Sequence, residues 1–158
     1  MAAAAYDLLV VGAGHAGVEA AAAAARLGSR VGLVTLSLDS VARMPCNPAI
    51  GGIGKGHLTA ELDALGGIQG WATARAGLQF KVLNRSRGPA VWGPRAQCDK
   101  WRYTVIMRRL LQRLAGIDLI EGEVVGLVES SGAIAGVRLA DGRRLSAAAV
   151  LLTTGTCL

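Results

Sequence analysis

The sequence predicts an α/β fold in which helices cover a parallel sheet, and three observations predict it. The first forty residues alternate an apolar β-branched run, an alanine-rich helix former and a second apolar run. The composition is 52% hydrophobic and only 4% aromatic, so the core is built from Ala, Val, Leu and Ile, as helix-covered parallel sheets are. Towards the C-terminal end, three more strand-like runs are separated by turn residues. At 158 residues the chain has the size of one domain.

Tyr6 to Val11 (YDLLVV) reads as a buried strand that ends on Gly12. His15 to Leu27 is a strong helix former, with Gly28 where a C-cap glycine belongs. Arg30 to Thr35 (RVGLVT) is the second strand. The next stretch, RMPCNPAIGGIGKGHL (residues 43–58), carries two prolines, a cysteine and four of the 22 glycines. It reads as a shaped loop that holds Cys46 between Pro45 and Pro48.

Leu58, Leu62 and Leu65 then recur at helical spacing until Gly66 and Gly67 stop the run. GLQFKVL (77–83) is a further strand, and NRSRGPAVWGPR (84–95) a loop, because two prolines and two glycines forbid regular structure. Ala96 to Leu114 reads as a long helix with Trp101, Met107, Leu110, Leu111 and Leu114 on a buried face. IDLI, VVGLVES, AIAGVRL and AVLLTTG follow as strands. The turns Ser131-Gly132 and Asp141-Gly142 make the last three a β-meander.

Gly12, Gly14 and Gly17 form G-x-G-x-x-G directly after the first strand and at the start of the first helix. Gly12 allows the tight turn, Gly14 lets the backbone approach a pyrophosphate, and Gly17 lets helix and strand pack closely. The helix N-terminus then faces phosphate charge. Strand, loop, helix and second strand in this register predict a Rossmann-like dinucleotide-binding fold. One element of the fingerprint is absent: the second strand ends Val34-Thr35-Leu36 without an acidic residue for the ribose, and Asp39 lies further on. GGIGKG is not a P-loop, because Ala49 stands at the first glycine position and Gly56 follows Lys55.

Three widely spaced cysteines, Cys46, Cys98 and Cys157, argue against a disulfide framework, and no metal site is expected. Charged residues interrupt every apolar run short of a membrane span, and the N-terminus lacks the pattern of a secretory signal. A cytoplasmic location is expected. Charge is concentrated: residues 81–113 hold nine basic side chains against Asp99, a local net charge of +8 in a chain of +6. Such a segment is either a polyanion contact or a solvated helix face.

With GAGHAGVEAA, PCNPAIGGIGKGHL, ELDALGG, KVLNRSRGPAVWGPRAQ and VLLTTGT in that order, the chain resembles the N-terminal part of the MnmG (GidA) family. These are FAD-dependent enzymes of tRNA uridine 5-carboxymethylaminomethyl modification. The resemblance implies a Rossmann-like FAD-binding domain of the two-dinucleotide-binding flavoprotein type with a β-meander crossover. It further implies that residues 1–158 are one partial, C-terminally incomplete domain containing the Cys46 loop (43–58) and the basic segment (81–113), since family members are several-fold longer.

The implied activity adds a carboxymethylaminomethyl or aminomethyl group at C5 of the wobble uridine, together with the GTPase MnmE. NADH serves as reductant, tRNA is the substrate, and a homodimer forms at full length. The implied cofactor residues are Gly12, Ala13, Gly14, His15, Ala16, Gly17 and, through its backbone, Val124. Cys46 matches a cysteine implicated in catalysis, although a buried cysteine that shapes the loop is the alternative.

Arg85, Arg87, Arg95, Lys100 and Arg102 are the candidate tRNA phosphate contacts. Departures from the family pattern are Pro45, Cys98, Lys100 and Cys157, of which the two cysteines read as small core hydrophobes. The competing readings are a truncated, non-catalytic nucleotide-binding or RNA-associating module of the same fold, and a small stand-alone oxidoreductase.

Overall fold

The computed structural model describes residues 5–44 and 47–155. In chain order the elements are β1 (Tyr6–Val11), α1 (His15–Arg26), β2 (Val31–Thr35), β3 (Ala49–Gly51), α2 (Lys55–Ala64), α3 (Gln69–Ala76), β4 (Gly77–Leu83) and β5 (Gly93–Cys98). Then come α4 (Lys100–Arg113), β6 (Ile117–Glu121), β7 (Val124–Ser130), β8 (Ala133–Leu139) and β9 (Arg144–Leu152). The chain forms two compact units, Met1–Ala42 with Leu111–Leu158, and Arg43–Leu110.

The first unit is built on a six-stranded sheet of order β6-β2-β1-β9-β8-β7. β6, β2, β1 and β9 are parallel, with Val10 opposite Leu33 on one side and Leu151 on the other. β7, β8 and β9 form the antiparallel meander. β9 serves both ladders. Its residues Arg144–Ser146 pair with β8, and Ala147–Leu152 pair with β1.

That dual use is why the strand begins at Arg144, five residues before the expected AVLLTTG. Leu9, Val11, Val34, Val137, Leu139 and Ala147 form the apolar cluster of this unit. Leu9 and Leu33 are fully buried, each contributing about 1.5–3 kcal/mol of transfer free energy. α1 ends as expected: Gly28 N–H reaches Ala25 O and Ser29 N–H reaches Ala24 O, a Schellman closure.

The second unit differs from expectation at three places. NRSRGPAVWGPRAQC is not all loop, because Gly93–Cys98 is the central strand of an antiparallel sheet of order β3-β5-β4. Pro94 cannot donate, yet its carbonyl accepts the Gly52 N–H at 2.8 Å, so the strand keeps that link. The helix expected from Ala96 therefore starts at Lys100. Asp99 caps it, its Oδ1 accepting the Arg102 N–H at 2.9 Å.

On that helix Tyr103, Met107 and Leu111 are fully buried, four residues apart, whereas Trp101 lies on the opposite side and is exposed. α2 begins at Lys55 and leaves Leu58 and Leu65 exposed, and α3 was not expected at all. Its buried residues are Gln69, Ala72, Thr73 and Ala76, too small and polar to register as an apolar stripe.

Candidate dinucleotide site

β1 ends where three backbone contacts fix the glycine loop. Gly12 N–H donates to Val34 O at 2.8 Å, Thr153 N–H to Val11 O at 2.8 Å, and Ala42 N–H to Ala13 O at 2.8 Å. The Thr153 hydroxyl lies 3.0 Å from Val11 O and 2.8 Å from Gly12 O and donates there. The first intrahelical bond of α1 is Val18 N–H to Gly14 O. The Ala16 and Gly17 N–H groups precede it and have no intrahelical acceptor. No side chain caps this helix, and no acidic residue sits in its first turn. Its positive end is left for an anion.

The three glycines have different reasons to be glycine. A Cβ on Gly12 would lie 2.6 Å from Thr153 O, and one on Gly17 would run into the Gly12 carbonyl oxygen and lie 2.7 Å from Thr153 Oγ1. Both are demanded by the fold itself. Gly14 is not. Among the described residues a Cβ there would meet nothing within 4 Å, and its φ of −71° and ψ of −172° suit any residue. At this N-cap position Ser, Asp or Asn would serve the helix better than glycine. The open space over Gly14, at the unsatisfied end of a helix, is the cradle that a pyrophosphate fills. The residues present therefore fit a dinucleotide.

Val124 opens β7, two residues after Gly122, whose N–H bonds to Thr35 O at the end of β2. It thus stands at the carboxyl ends of the parallel strands, the side on which α/β sheets bind ligands. The end of β2 carries Thr35, buried, with its hydroxyl donating to Ser37 O at 3.2 Å. Directly opposite it in the ladder is Glu121, whose Oε2 accepts the Leu38 N–H at 2.9 Å. Glu121 is a carboxylate beside the β2 terminus that the sequence does not signal, since only the pairing of β6 with β2 brings it there.

The second unit holds the basic candidates. Arg85 and Arg87 flank an exposed 3-10 turn, pinned by Trp92 Nε1 donating to Arg85 O at 3.2 Å and Asn84 Nδ2 to Val91 O at 3.3 Å. Arg95 is on β5, and Lys100 and Arg102 occupy the first turn of α4. Cations at a helix N-terminus oppose its dipole, a placement that an anionic partner relieves. Arg85 and Arg95 line one cleft, whereas Arg87, Lys100 and Arg102 are not among its lining residues.

The glycines of the Cys46 loop answer to the local fold: a Cβ on Gly51 would collide with Pro94 O, and one on Gly56 would lie 2.6 Å from it. Cys46 and Cys157 lie outside the described residues. Cys98 is buried, as expected of a small hydrophobe. Burial pushes its thiol up, with an Ile50 backbone hydrogen bond and Lys55 pulling the other way. Among the described residues no group of His, Cys, Asp or Glu could hold a metal, and no helix is long and apolar enough to cross a membrane.

The family model described as glucose inhibited division protein A matches residues 7–158. The tRNA uridine 5-carboxymethylaminomethyl modification enzyme MnmG of Granulibacter bethesdensis is 56% identical over 158 residues, covering 98% of this chain and 25% of the relative. That of Endomicrobium trichonymphae is 52% identical over 153 residues, covering 97% and 26%. The solved structure of Aquifex aeolicus GidA superposes with a TM-score of 0.91 at 44% identity, covering 97% of this chain and 26% of that one. The chain thus spans about a quarter of the length of these relatives. The match over nearly the whole sequence, on a parallel sheet with a meander crossover and a glycine loop shaped for pyrophosphate, means that the chain belongs to the glucose inhibited division protein A (GidA) family.

Proposed function

We propose that residues 1–158 are the partial FAD-binding domain of a cytoplasmic tRNA-modifying flavoenzyme, the alternative of a non-catalytic module being disfavoured by the family membership. In this reading the whole enzyme is a homodimer and acts with the GTPase MnmE. It adds a carboxymethylaminomethyl or aminomethyl group at C5 of the wobble uridine. FAD, when bound, would supply redox chemistry, with NADH as the reductant.

Gly12, Ala13, Gly14, His15, Ala16 and Gly17 hold the pyrophosphate, and the Val124 backbone meets the adenine. Arg85, Arg87, Arg95, Lys100 and Arg102 contact tRNA phosphates. The observation that carries the reading is Gly14, the one glycine of the three that nothing among the described residues requires.

Titration calorimetry with ADP and with FAD tests it. Both are expected to bind with similar, modest affinity, because the ADP half needs only β1, its loop and α1. Gly14→Val, which fills the cradle, is expected to abolish both. Unchanged binding in a folded Gly14→Val protein overturns the assignment.

Cys46 is the proposed nucleophile. Its thiolate adds to C6 of the uridine ring, shifting the C5–C6 π pair onto C5, which attacks an electrophilic one-carbon unit; loss of the C5 proton to a base then expels the thiolate and restores the ring double bond. In a full-length family enzyme, Cys46→Ser is expected to keep its flavin and lose modification. Near-normal modification assigns the cysteine to loop structure instead.

A further inference from the structure

Strand alternation sorts the side chains of the β3-β5-β4 sheet between its two faces. Ile50, Phe80, Val82 and Ala96 share the face toward α2 and α3. Gln79, Lys81 and Leu83 of β4 share the other face with Arg95 and Gln97 of β5, and these five line a cleft of about 210 Å³.

On that face the ladder sets Gln79 opposite Gln97 and Lys81 opposite Arg95. Two amides thus stand beside two cations in a rectangle. Facing pairs are about 4.5–5.5 Å apart at Cβ, and the amide pair lies roughly 7 Å along the strands from the cation pair. Next to the cations the rectangle is open, since Leu83 faces Gly93 and the β3 neighbour of Arg95 is Gly51.

Nothing among the described residues uses this arrangement. None of the four polar side chains has a hydrogen-bond or ion-pair partner there. Like charges directly opposite each other on antiparallel strands are destabilising, a cost that a bound anion removes. Arg95 offers a planar fork and Lys81 a mobile point charge, two complementary ways of holding phosphate oxygens. A glutamine amide both donates and accepts, as a hydroxyl does.

We infer that this face is a site for a phosphorylated pentose. The phosphate bridges Lys81 and Arg95, and ring hydroxyls meet the amides of Gln79 and Gln97. The separation of the two pairs suits the reach from the phosphate to the hydroxyls of such a sugar. The inference rests on the tRNA reading above, with which it shares Arg95, and deepens it from phosphate contact along a surface to the seating of one ribose phosphate. The sugar phosphate is free or is one unit of an RNA strand, and the same chemistry serves both.

The test is calorimetric titration of the 158-residue chain with ribose 5-phosphate. Methyl β-ribofuranoside, inorganic phosphate and 2-deoxyribose 5-phosphate are the comparison ligands. Ribose 5-phosphate is expected to bind at least tenfold tighter than the uncharged sugar and several-fold tighter than the other two. Lys81→Gln or Arg95→Gln should weaken it about tenfold or more.

Lys81→Gln should also raise the melting temperature of the free chain, because it removes the like-charge pair. A lysine with a merely structural role would not weaken binding while stabilising the fold. Gln79→Leu and Gln97→Leu should erase the preference for ribose over deoxyribose and leave phosphate binding in place. A single-stranded RNA oligonucleotide that binds tighter than ribose 5-phosphate and than DNA of the same sequence, and still depends on Lys81 and Gln79, supports the site with a strand as source. RNA binding no tighter than the sugar phosphate supports it with a free ligand.

No binding of ribose 5-phosphate, binding no tighter than that of the uncharged sugar, or insensitivity to both cation variants overturns the inference. So does equal binding of ribose 5-phosphate and inorganic phosphate, which would leave an anion contact without a sugar. Loss of binding in Gly14→Val overturns it too, by placing the ligand in the glycine loop. If ribose 5-phosphate binds but tRNA does not, the tRNA reading falls alone. If tRNA binds with its salt dependence and ribose 5-phosphate does not, this one falls alone.

Discussion

Gly17→Val is expected to cost about 3 kcal/mol or more of folding stability, the range reached when atoms are forced into a packed position. The added Cβ has no room, because the Gly12 carbonyl oxygen occupies its place and the Thr153 hydroxyl stands 2.7 Å away. Relief would need the glycine loop to lift off α1. That would break the Gly12 N–H bond to Val34 O and the Thr153 bonds to the end of β1.

Gly14→Val, three residues earlier, meets nothing within 4 Å and should lose no more than about 1 kcal/mol as a poorer N-cap. For a chain of this size the difference of about 2 kcal/mol corresponds to a melting temperature lower by roughly 4–8 °C for Gly17→Val. Thermal unfolding followed by circular dichroism without nucleotide reads it directly. Equal melting of the two variants would mean that Gly17 is not held by packing.

The second large effect is on the salt dependence of tRNA binding. Five cations, Arg85, Arg87, Arg95, Lys100 and Arg102, each release about 0.7–0.9 counterions on meeting a phosphate. The logarithm of the affinity should then fall with the logarithm of salt at a slope of about −4, so a fourfold rise in salt weakens binding about 250-fold. Replacing Lys100 and Arg102 with glutamine should flatten the slope to about −2.4. An unchanged slope would make this segment a solvated surface.

The β-α-β start was legible because each element carries its own periodicity and its own terminator, down to the closure at Gly28. The meander was legible for the same reason, its turns being marked by Ser131-Gly132 and Asp141-Gly142. β3 and β5 were not. Their strand character comes from pairing with each other and with β4, while locally Pro94, Gly51 and Gly52 speak against it.

At the site, the sequence shows three equivalent glycines. Only the packing separates the two that the fold needs from the one that a ligand needs. Glu121 was missed for a related reason, because it matters through the residue opposite it in a ladder, Thr35.

The double role of β9 also sets the order of assembly on the ribosome. β1 is made well before β9, and its second edge stays open until Ala147–Leu152 arrive, some 141 positions later for Leu8 and Ala149. At ordinary rates of synthesis this is an interval of roughly 7–28 seconds. Throughout it a nascent chain displays the bare apolar edge of YDLLVV to any neighbour able to pair with it. A chaperone that shields β-strand edges during translation would therefore raise the yield of folded protein more than one acting after release.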